Sequence, residues 1–305
     1  MLSYQHGYHA GNHADVLKHL VLLAIARHMQ QKPVPISFID THAGAGSYAL
    51  ASVQAEKTAE SATGIEKLYA LPESSLPPAL LDYVNAVAHF NPPQQFTTYP
   101  GSPLLMTHCL RTHEGIADTL RVFERHPGEL KLLEAQLIKH TPQPPAGVRM
   151  GRVRPVLIQG ADGFEGLAHL LPPQHRRALV LMDPSYEMKT DYRTVVETIK
   201  IAMQRFPGGT YAIWYPMLRR VEAQQMIPRL KKLCAEYSKS AGVDFLNATL
   251  AISGAQPDGF GGLWGSGMFV INPPYTLAQT LKNCLPVVKT QLAQDGAARW
   301  TVETT

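Results

Sequence analysis

Cysteine is scarce: Cys109, Cys234 and Cys284 are the three thiols of a 305-residue chain, and they stand far apart. No pair of them has the spacing of a disulfide framework or a thiolate metal site, so a reducing, cytoplasmic setting is expected. Long apolar runs are missing too. The nearest approach, Val16 to Ala26, is too short to span a bilayer and carries Lys18 and His19 within it, so it reads as a buried amphipathic helix. Strong charge of either sign is absent. A formal net charge of +4 tilts the chain only mildly toward an anionic partner such as nucleic acid. Nothing repeats and no low-complexity tail is found, which leaves one large domain or a domain with a substantial insertion.

What is present is a core-forming composition, 45% hydrophobic, that supports a full globular fold. The first 15 residues are crowded with His, Tyr and Asn and lack a hydrophobic period until Val16, so they read as a loop leading into a helix that runs to about Gln30. His6, His9, His13 and His19 have no carboxylate or Cys beside them at a recognised ligand spacing, and no metal is assigned. A polar surface loop and a segment folding over a polar ligand both fit; the density of aromatic rings favours the second.

Ile36-Ser-Phe-Ile-Asp40 reads as a short buried strand running into Thr41-His-Ala-Gly-Ala-Gly46. Glycines after a strand let the backbone approach a ligand and turn into a helix start. Gly44, Gly46 and Ala49 also satisfy Gly-x-Gly-x-x-Ala, the weak dinucleotide fingerprint. That reading requires an acidic strand end about twenty residues later, where no strand pattern is found. From about Ser52 to Asn91 the pattern is helical, broken by Pro72, Pro77 and Pro78, and residues 52–95 read as an inserted helical subdomain. Tyr99-Pro-Gly-Ser102 opens another helix, with Ser102 expected as its N-cap. Leu120-Arg-Val-Phe-Glu124 is a second strand ending in an acid suited to two ribose hydroxyls. A third, Pro155 to Ile158, leads to Asp162, Gly163 and Phe164, where Asp162 is either an N-cap or a partner for an adenine amine.

The fourth strand, Ala178 to Met182, delivers Asp183-Pro-Ser-Tyr186, and a fifth spans Thr210 to Tyr215. A carboxylate followed by a turn carbonyl can accept both N–H bonds of a flat exocyclic amine while an aromatic ring stacks on it. The tetrapeptide is similar to the Asp/Asn-Pro-Pro-Tyr/Phe signature of S-adenosylmethionine-dependent amino-methyltransferases, with Ser185 in place of the second Pro. A second copy, Asn272-Pro-Pro-Tyr275, follows the hairpin formed by Phe245 to Ile252 and Ser266 to Ile271; it is read as structural, on the expectation that its strand lies at the sheet edge.

Together with Leu2-Ser-Tyr-x-His6 and His9-Ala-Gly-Asn-His-Ala-Asp-Val-Leu-Lys-His19, the blocks Asp40 to Gly46, Tyr99-Pro-Gly-Ser-Pro103, Ala161-Asp-Gly-Phe164 and Asp183 to Tyr192 resemble the RlmJ family, which methylates adenine N6 in 23S ribosomal RNA. The resemblance implies a single class I S-adenosylmethionine-dependent methyltransferase domain over residues 1–305, Rossmann-like. Its α/β sheet should have seven strands, mostly parallel, with an antiparallel C-terminal edge. It implies that Lys18, His19, His42, Ser102, Glu124, Asp162 and Gly163 contact S-adenosylmethionine, with Lys18 beside the cofactor's carboxylate. Asp183, Pro184 and Tyr186 form the catalytic turn, and Tyr186 is expected to stack on the target base. The expected partner is 23S ribosomal RNA, with no membrane and a monomeric chain. Lys189, Arg176 and Arg177 are candidates for phosphate contacts near the base, and Tyr4, His6 and His9 for a segment covering the cofactor. The rival functions are methylation of a protein glutamine or a DNA adenine, an NAD-dependent oxidoreductase, and an RNA-binding protein silenced by Ser185.

Overall fold

Asn12 fixes where the chain first becomes helical. Its side-chain oxygen accepts the main-chain N–H groups of Ala14 and Asp15 at 2.9 and 3.1 Å, and α1 (His13–Gln30) follows. Helix formation therefore starts ahead of the hydrophobic period at Val16, and His13 and Asp15 belong to the first turn. The computed structural model describes residues 9–50, 60–93, 95–113, 116–141, 155–254 and 263–305. The motif residues Leu2, Tyr4 and His6, the start of the expected insertion and most of the glycine-rich stretch before Ser266 lie outside the described residues.

The main sheet is built from β1 (Ser37–Asp40), β2 (Thr119–Phe123), β3 (Val156–Gln159), β4 (Ala178–Met182), β5 (Thr210–Pro216), β6 (Phe245–Ala251), β7 (Gly265–Ile271) and β8 (Arg299–Thr304). Its order is β8-β6-β7-β5-β4-β1-β2-β3, with β3, β2, β1, β4 and β5 parallel and the rest antiparallel. This is the Rossmann-like class I methyltransferase arrangement, with one strand more than the seven expected. The additional strand, β8, pairs with β6 and takes the edge. The hairpin β6–β7 is antiparallel as expected, but β7 lies inside the sheet between β6 and β5, not at its edge.

The central strand explains the layering. Every residue of β4 is buried; Leu179 and Leu181 join one core, Ala178, Val180 and Met182 the other. A strand apolar on both faces must be covered on both. On the first face lie α1, α2 (Pro78–Ala88), α3 (Ser102–Cys109), α4 (Pro127–His140) and α8 (Leu277–Leu292). On the second lie α5 (Gly163–Leu167), α6 (Asp191–Arg205) and α7 (Val221–Ala241). Helix α4, which has no counterpart among the helices expected from the sequence, begins with His126 as its N-cap, the side chain accepting the Glu129 N–H, and Pro127 at its first position. Within the expected insertion, α2 places Leu80, Tyr83, Val84 and Val87 in the first core. No helix among the described residues is long and apolar enough to cross a membrane.

Candidate active site

Strand β1 has β2 on one side and β4 on the other, and the chain order reverses between them. Loops leaving the carboxyl ends of these strands diverge to opposite faces, so a crevice opens there. A cleft of about 400 Å³ fills it, lined by Lys18, His19, Thr41, His42, Gly44, Ser102, Glu124, Asp162, Gly163, Phe164, Asp183, Pro184 and Ser185 among others. That volume lies in the range of small-molecule sites. All seven cofactor candidates and Asp183 thus line one cleft, although they span the chain from Lys18 to Asp183; Gly163 also meets a packing demand. A Cβ at Gly163 would stand 2.0 Å from the Thr41 carbonyl oxygen, so the start of α5 can seat on the end of β1 only without a side chain.

Asp183 leaves the end of β4 with its Oδ2 2.5 Å from the Lys18 ammonium, whose other carboxylate partner is Asp15 Oδ1 at 2.8 Å. Burial opposes the charge on Lys18, but Asp15 and Asp183 outweigh it and hold the ammonium well above its ordinary pKa. Lys18 is therefore a fixed cation on the catalytic candidate. Two of its three N–H groups are thereby engaged, and Lys18 also lines the cleft.

Tyr186 is placed differently from the stacking role expected of it. Its ring is 2% exposed, lies 4.6 Å from the Tyr192 ring, and its hydroxyl donates to the Trp214 carbonyl at 2.7 Å. The backbone there adopts φ +53°, a left-handed conformation that a bulky residue takes only when its surroundings enforce it. In this arrangement the ring anchors the turn from beneath.

Asn272 also has a left-handed φ, +51°, but at the other pole. Because β7 runs antiparallel to β5, the residue after Ile271 lies beside Thr210, where β5 begins. Its amide donates to the Pro207 and Gly209 carbonyls, both at 2.7 Å. The structural reading stands, for a reason of strand direction and not of edge position. Arg176 and Arg177 precede β4 and so sit at that same far pole, roughly 17 Å of strand away from Asp183. The Arg177 guanidinium donates to the Val34 carbonyl at 2.6 Å, and Arg176 lies over the Phe206 ring; neither is near the cleft. Lys189 is on the cleft side, mostly exposed, 3.9 Å from Glu222.

Below the cleft, the Ser102 hydroxyl donates to Asp40 Oδ2 at 2.6 Å. Ser102 is the first residue of α3, with Gly101 in the capping position, so its hydroxyl serves the strand end and not its own helix. Burial drives the Asp40 carboxyl up to about 6. Burial likewise pushes the His42 imidazole down to about 4, so it is neutral at pH 7. The Thr41 hydroxyl donates to the Leu181 carbonyl at 3.1 Å, so the 2.8 Å contact with His42 Nδ1 is an Nδ1–H donation and Nε2 is an acceptor. Phe164 packs edge-on to that imidazole with centroids 4.6 Å apart. His19 Nδ1 is 2.6 Å from the Tyr99 hydroxyl, which in turn lies 3.0 Å from Tyr83.

Glu124 follows β2 directly. Its Oε2 accepts the Gly44 N–H at 2.8 Å and its Oε1 the His126 N–H at 2.6 Å. Each oxygen retains a lone pair for a hydroxyl of a ligand. Asp162 caps α5 by accepting the Phe164 N–H at 2.8 Å and lies 3.4 Å from the Arg125 guanidinium. Carboxylates dominate the lining: Glu124, Glu129, Asp162, Asp183, Glu187 and Asp191 face Lys18 and Arg125. Burial raises the Asp191 carboxyl, with Glu187 and Asp162 adding to the effect. Such a cleft suits a cation and repels a pyrophosphate.

Reasoning from sequence missed Asp15, Tyr48, Glu129, Glu187 and Asp191. For Asp15 a signal existed, the Asp15/Lys18 spacing of three residues within one helical turn. Glu187 and Asp191 follow Asp183 on the same stretch after β4, whereas Tyr48 and Glu129 come from other parts of the chain.

Residues 33–304 match the family described as Ribosomal RNA large subunit methyltransferase D, RlmJ. A relative from Escherichia coli K12, Ribosomal RNA large subunit methyltransferase J, is 41% identical over 304 residues, covering 99% of this chain and 98% of its own. A protein of the same name from Haemophilus influenzae Rd is 36% identical over 306 residues, with 99% and 98% covered. A crystal structure of a Legionella pneumophila protein superposes with a TM-score of 0.80 at 29% identity, covering 97% of this chain and 98% of that one.

Proposed function

The chain belongs to the RlmJ family of large-subunit ribosomal RNA methyltransferases, and from that premise we propose that it methylates N6 of an adenine in 23S ribosomal RNA, with Asp183 holding the amine. It is a methyltransferase with S-adenosylmethionine as cofactor. The donor set of the cleft fits that group: Glu124 has lone pairs for ribose hydroxyls, Asp162 and Phe164 suit an adenine, and the acidic lining suits a sulfonium. When bound, the cofactor supplies an electrophilic methyl group.

The observation that carries the reading is the Asp183 carboxylate at the switch point. Its Oδ2 is taken by Lys18, and Oδ1 has no other partner among the described residues. Oδ1 and the Pro184 carbonyl are the two acceptors for the N–H bonds of an exocyclic amine. Accepting both turns the nitrogen lone pair out of conjugation and stabilises positive charge as it develops on nitrogen. The target base must leave its stack to reach the turn. Helices within residues 52–95 are read as an inserted subdomain of one domain, and the working unit as a cytoplasmic monomer.

The test is methylation of RNA from cells lacking this gene, using tritiated cofactor and nuclease mapping of the labelled nucleoside. Label in N6-methyladenosine of the large ribosomal RNA is expected. Label confined to DNA, or to a protein glutamine, overturns the substrate.

A further inference from the structure

Asp15 is the third residue of α1 and is 1% exposed. Its Oδ2 accepts the Gly11 N–H at 2.9 Å, and its Oδ1 lies 2.8 Å from the Lys18 ammonium. Lys18 itself is 4% exposed and meets Asp183 on its other side. The Lys18 ammonium thus meets two carboxylates, Asp15 buried behind it and Asp183, 15% exposed, opening on the cleft. A Lys18–Asp183 pair alone would balance its own charge. The second carboxylate does two things to that pair. It draws off part of the ammonium's field, and it holds Nζ on the Oδ2 side of Asp183.

Asp15 is in turn firmly seated. Gly11 has φ +77°, and a Cβ there would come within 2.8 Å of the Ile65 side chain. The Ile65 N–H donates to the Gly11 carbonyl at 2.8 Å, so this turn crosses tightly over the chain at Gly64. Glu60 clamps the crossing from the side, with one oxygen 3.0 Å from His9 Nδ1 and the other accepting from the Asn12 amide at 2.8 Å. A run of hydrogen bonds and ion pairs thus extends from Glu60 through Asn12, Gly11, Asp15 and Lys18 to the catalytic turn.

We infer that Asp15 is a positioning residue for methyl transfer, sharing the Lys18 ammonium so that Asp183 keeps one oxygen and most of its charge for the substrate amine. This rests on the reading of Asp183 as the catalytic carboxylate. Asp15 touches neither substrate nor cofactor; it acts through Lys18.

The test is a double-mutant cycle in single-turnover and steady-state methylation. Asp15→Asn keeps an oxygen for the Gly11 amide but removes the charge. It is expected to lower kcat by about tenfold or more while KM for RNA and the cofactor dissociation constant from calorimetry stay within about twofold. In a Lys18→Met background the same substitution should change the rate by less than about twofold, because its route to Asp183 is gone. Asp15→Glu, which retains the charge, should recover part of the lost kcat, and Asp15→Ser gives the same comparison if Asp15→Asn does not fold. A wild-type kcat for Asp15→Asn, or equal losses in both backgrounds, overturns the inference. Asp183→Ala is run alongside: if it remains fully active the catalytic reading has failed, whereas an inactive Asp183→Ala beside a normal Asp15→Asn refutes only the positioning role.

Discussion

The Tyr186 hydroxyl donates to the Trp214 carbonyl across 2.7 Å, which ties the turn after β4 to the strand beside it. With its ring enclosed between Tyr192 and Trp214, Tyr186 shapes the turn that aims Asp183. Tyr186→Phe should then cost about 1 kcal/mol of stability in urea unfolding, and Tyr186→Ala about 3–5 kcal/mol. Both should weaken catalysis in proportion to the disorder of the turn. A Tyr186→Phe enzyme of full stability but greatly reduced rate would mean that the hydroxyl works on the substrate instead.

The two Pro turns separate by pole. Asp183→Ala should cut the single-turnover rate by about a hundredfold or more, as expected for an electrostatic contact to the reacting nitrogen. Asn272→Ala should leave that rate within about twofold yet lower stability by about 1–3 kcal/mol, because the Pro207 and Gly209 carbonyls lose their donor. The reverse pattern would move the active site to the far end of the sheet.

The fold was readable where apolar strands alternate with helices. Met182 and Asp40 mark strand ends that the sequence pattern placed correctly, because a strand buried on both faces is continuously apolar and then stops at a polar turn. Pairing was less legible. β8, Arg299–Thr304, is largely exposed and carries little apolar signal, so the edge was assigned to β7 in its place. The site was readable at Asp183, Glu124 and Gly44, where a strand end forces the group toward the cleft. The Asp15–Lys18 pair could be read from its spacing, but not its link to Asp183, nor the buried ring of Tyr186. Their roles depend on which charge or carbonyl the fold brings from more than a hundred residues away, or, for Tyr186, from the neighbouring strand.

Asp40 should leave a mark on the pH dependence of stability. Its folded-state pKa is raised to about 6 by burial, above the ordinary carboxyl value of 3.8. The folded protein therefore holds that proton more tightly than the unfolded chain does. Asp40 contributes stability fully below about pH 4 and loses it as pH rises through about 6, a change of roughly 3 kcal/mol for a shift of this size. The His42 imidazole, held down near 4, works in the opposite sense over the same window. Asp40→Asn removes one side of the balance. Its stability relative to wild type should improve by that amount between pH 4 and pH 7, as measured by urea unfolding at a series of pH values. A difference that does not vary with pH would place the ionised Asp40 in a more polar setting than its burial implies.

The acidic lining makes a prediction about cofactor and product. Methyl transfer converts a sulfonium cation into a neutral thioether, so the two forms differ by one positive charge inside a cleft that Glu124, Glu129, Asp162, Asp183, Glu187 and Asp191 surround. Two unit charges about 8 Å apart interact by roughly 1 kcal/mol at an effective dielectric constant of about 40. Removing one carboxylate that has no hydrogen-bonding role toward the ribose should therefore weaken S-adenosylmethionine by about threefold to fivefold and S-adenosylhomocysteine hardly at all. Glu187→Gln is the variant of choice, since it keeps the shape of the side chain. The same logic gives a salt effect: raising ionic strength from about 0.05 M to 0.5 M shortens the screening length and should reduce the preference for the sulfonium over the thioether. NAD, whose pyrophosphate would meet the same carboxylates, should show no binding at either salt concentration. Calorimetric titration of wild type and Glu187→Gln with each of the three molecules decides it. Equal weakening of sulfonium and thioether would mean that Glu187 acts by shape, and a salt-independent preference would mean that direct contacts to the methyl-bearing sulfur outweigh the field of the cleft.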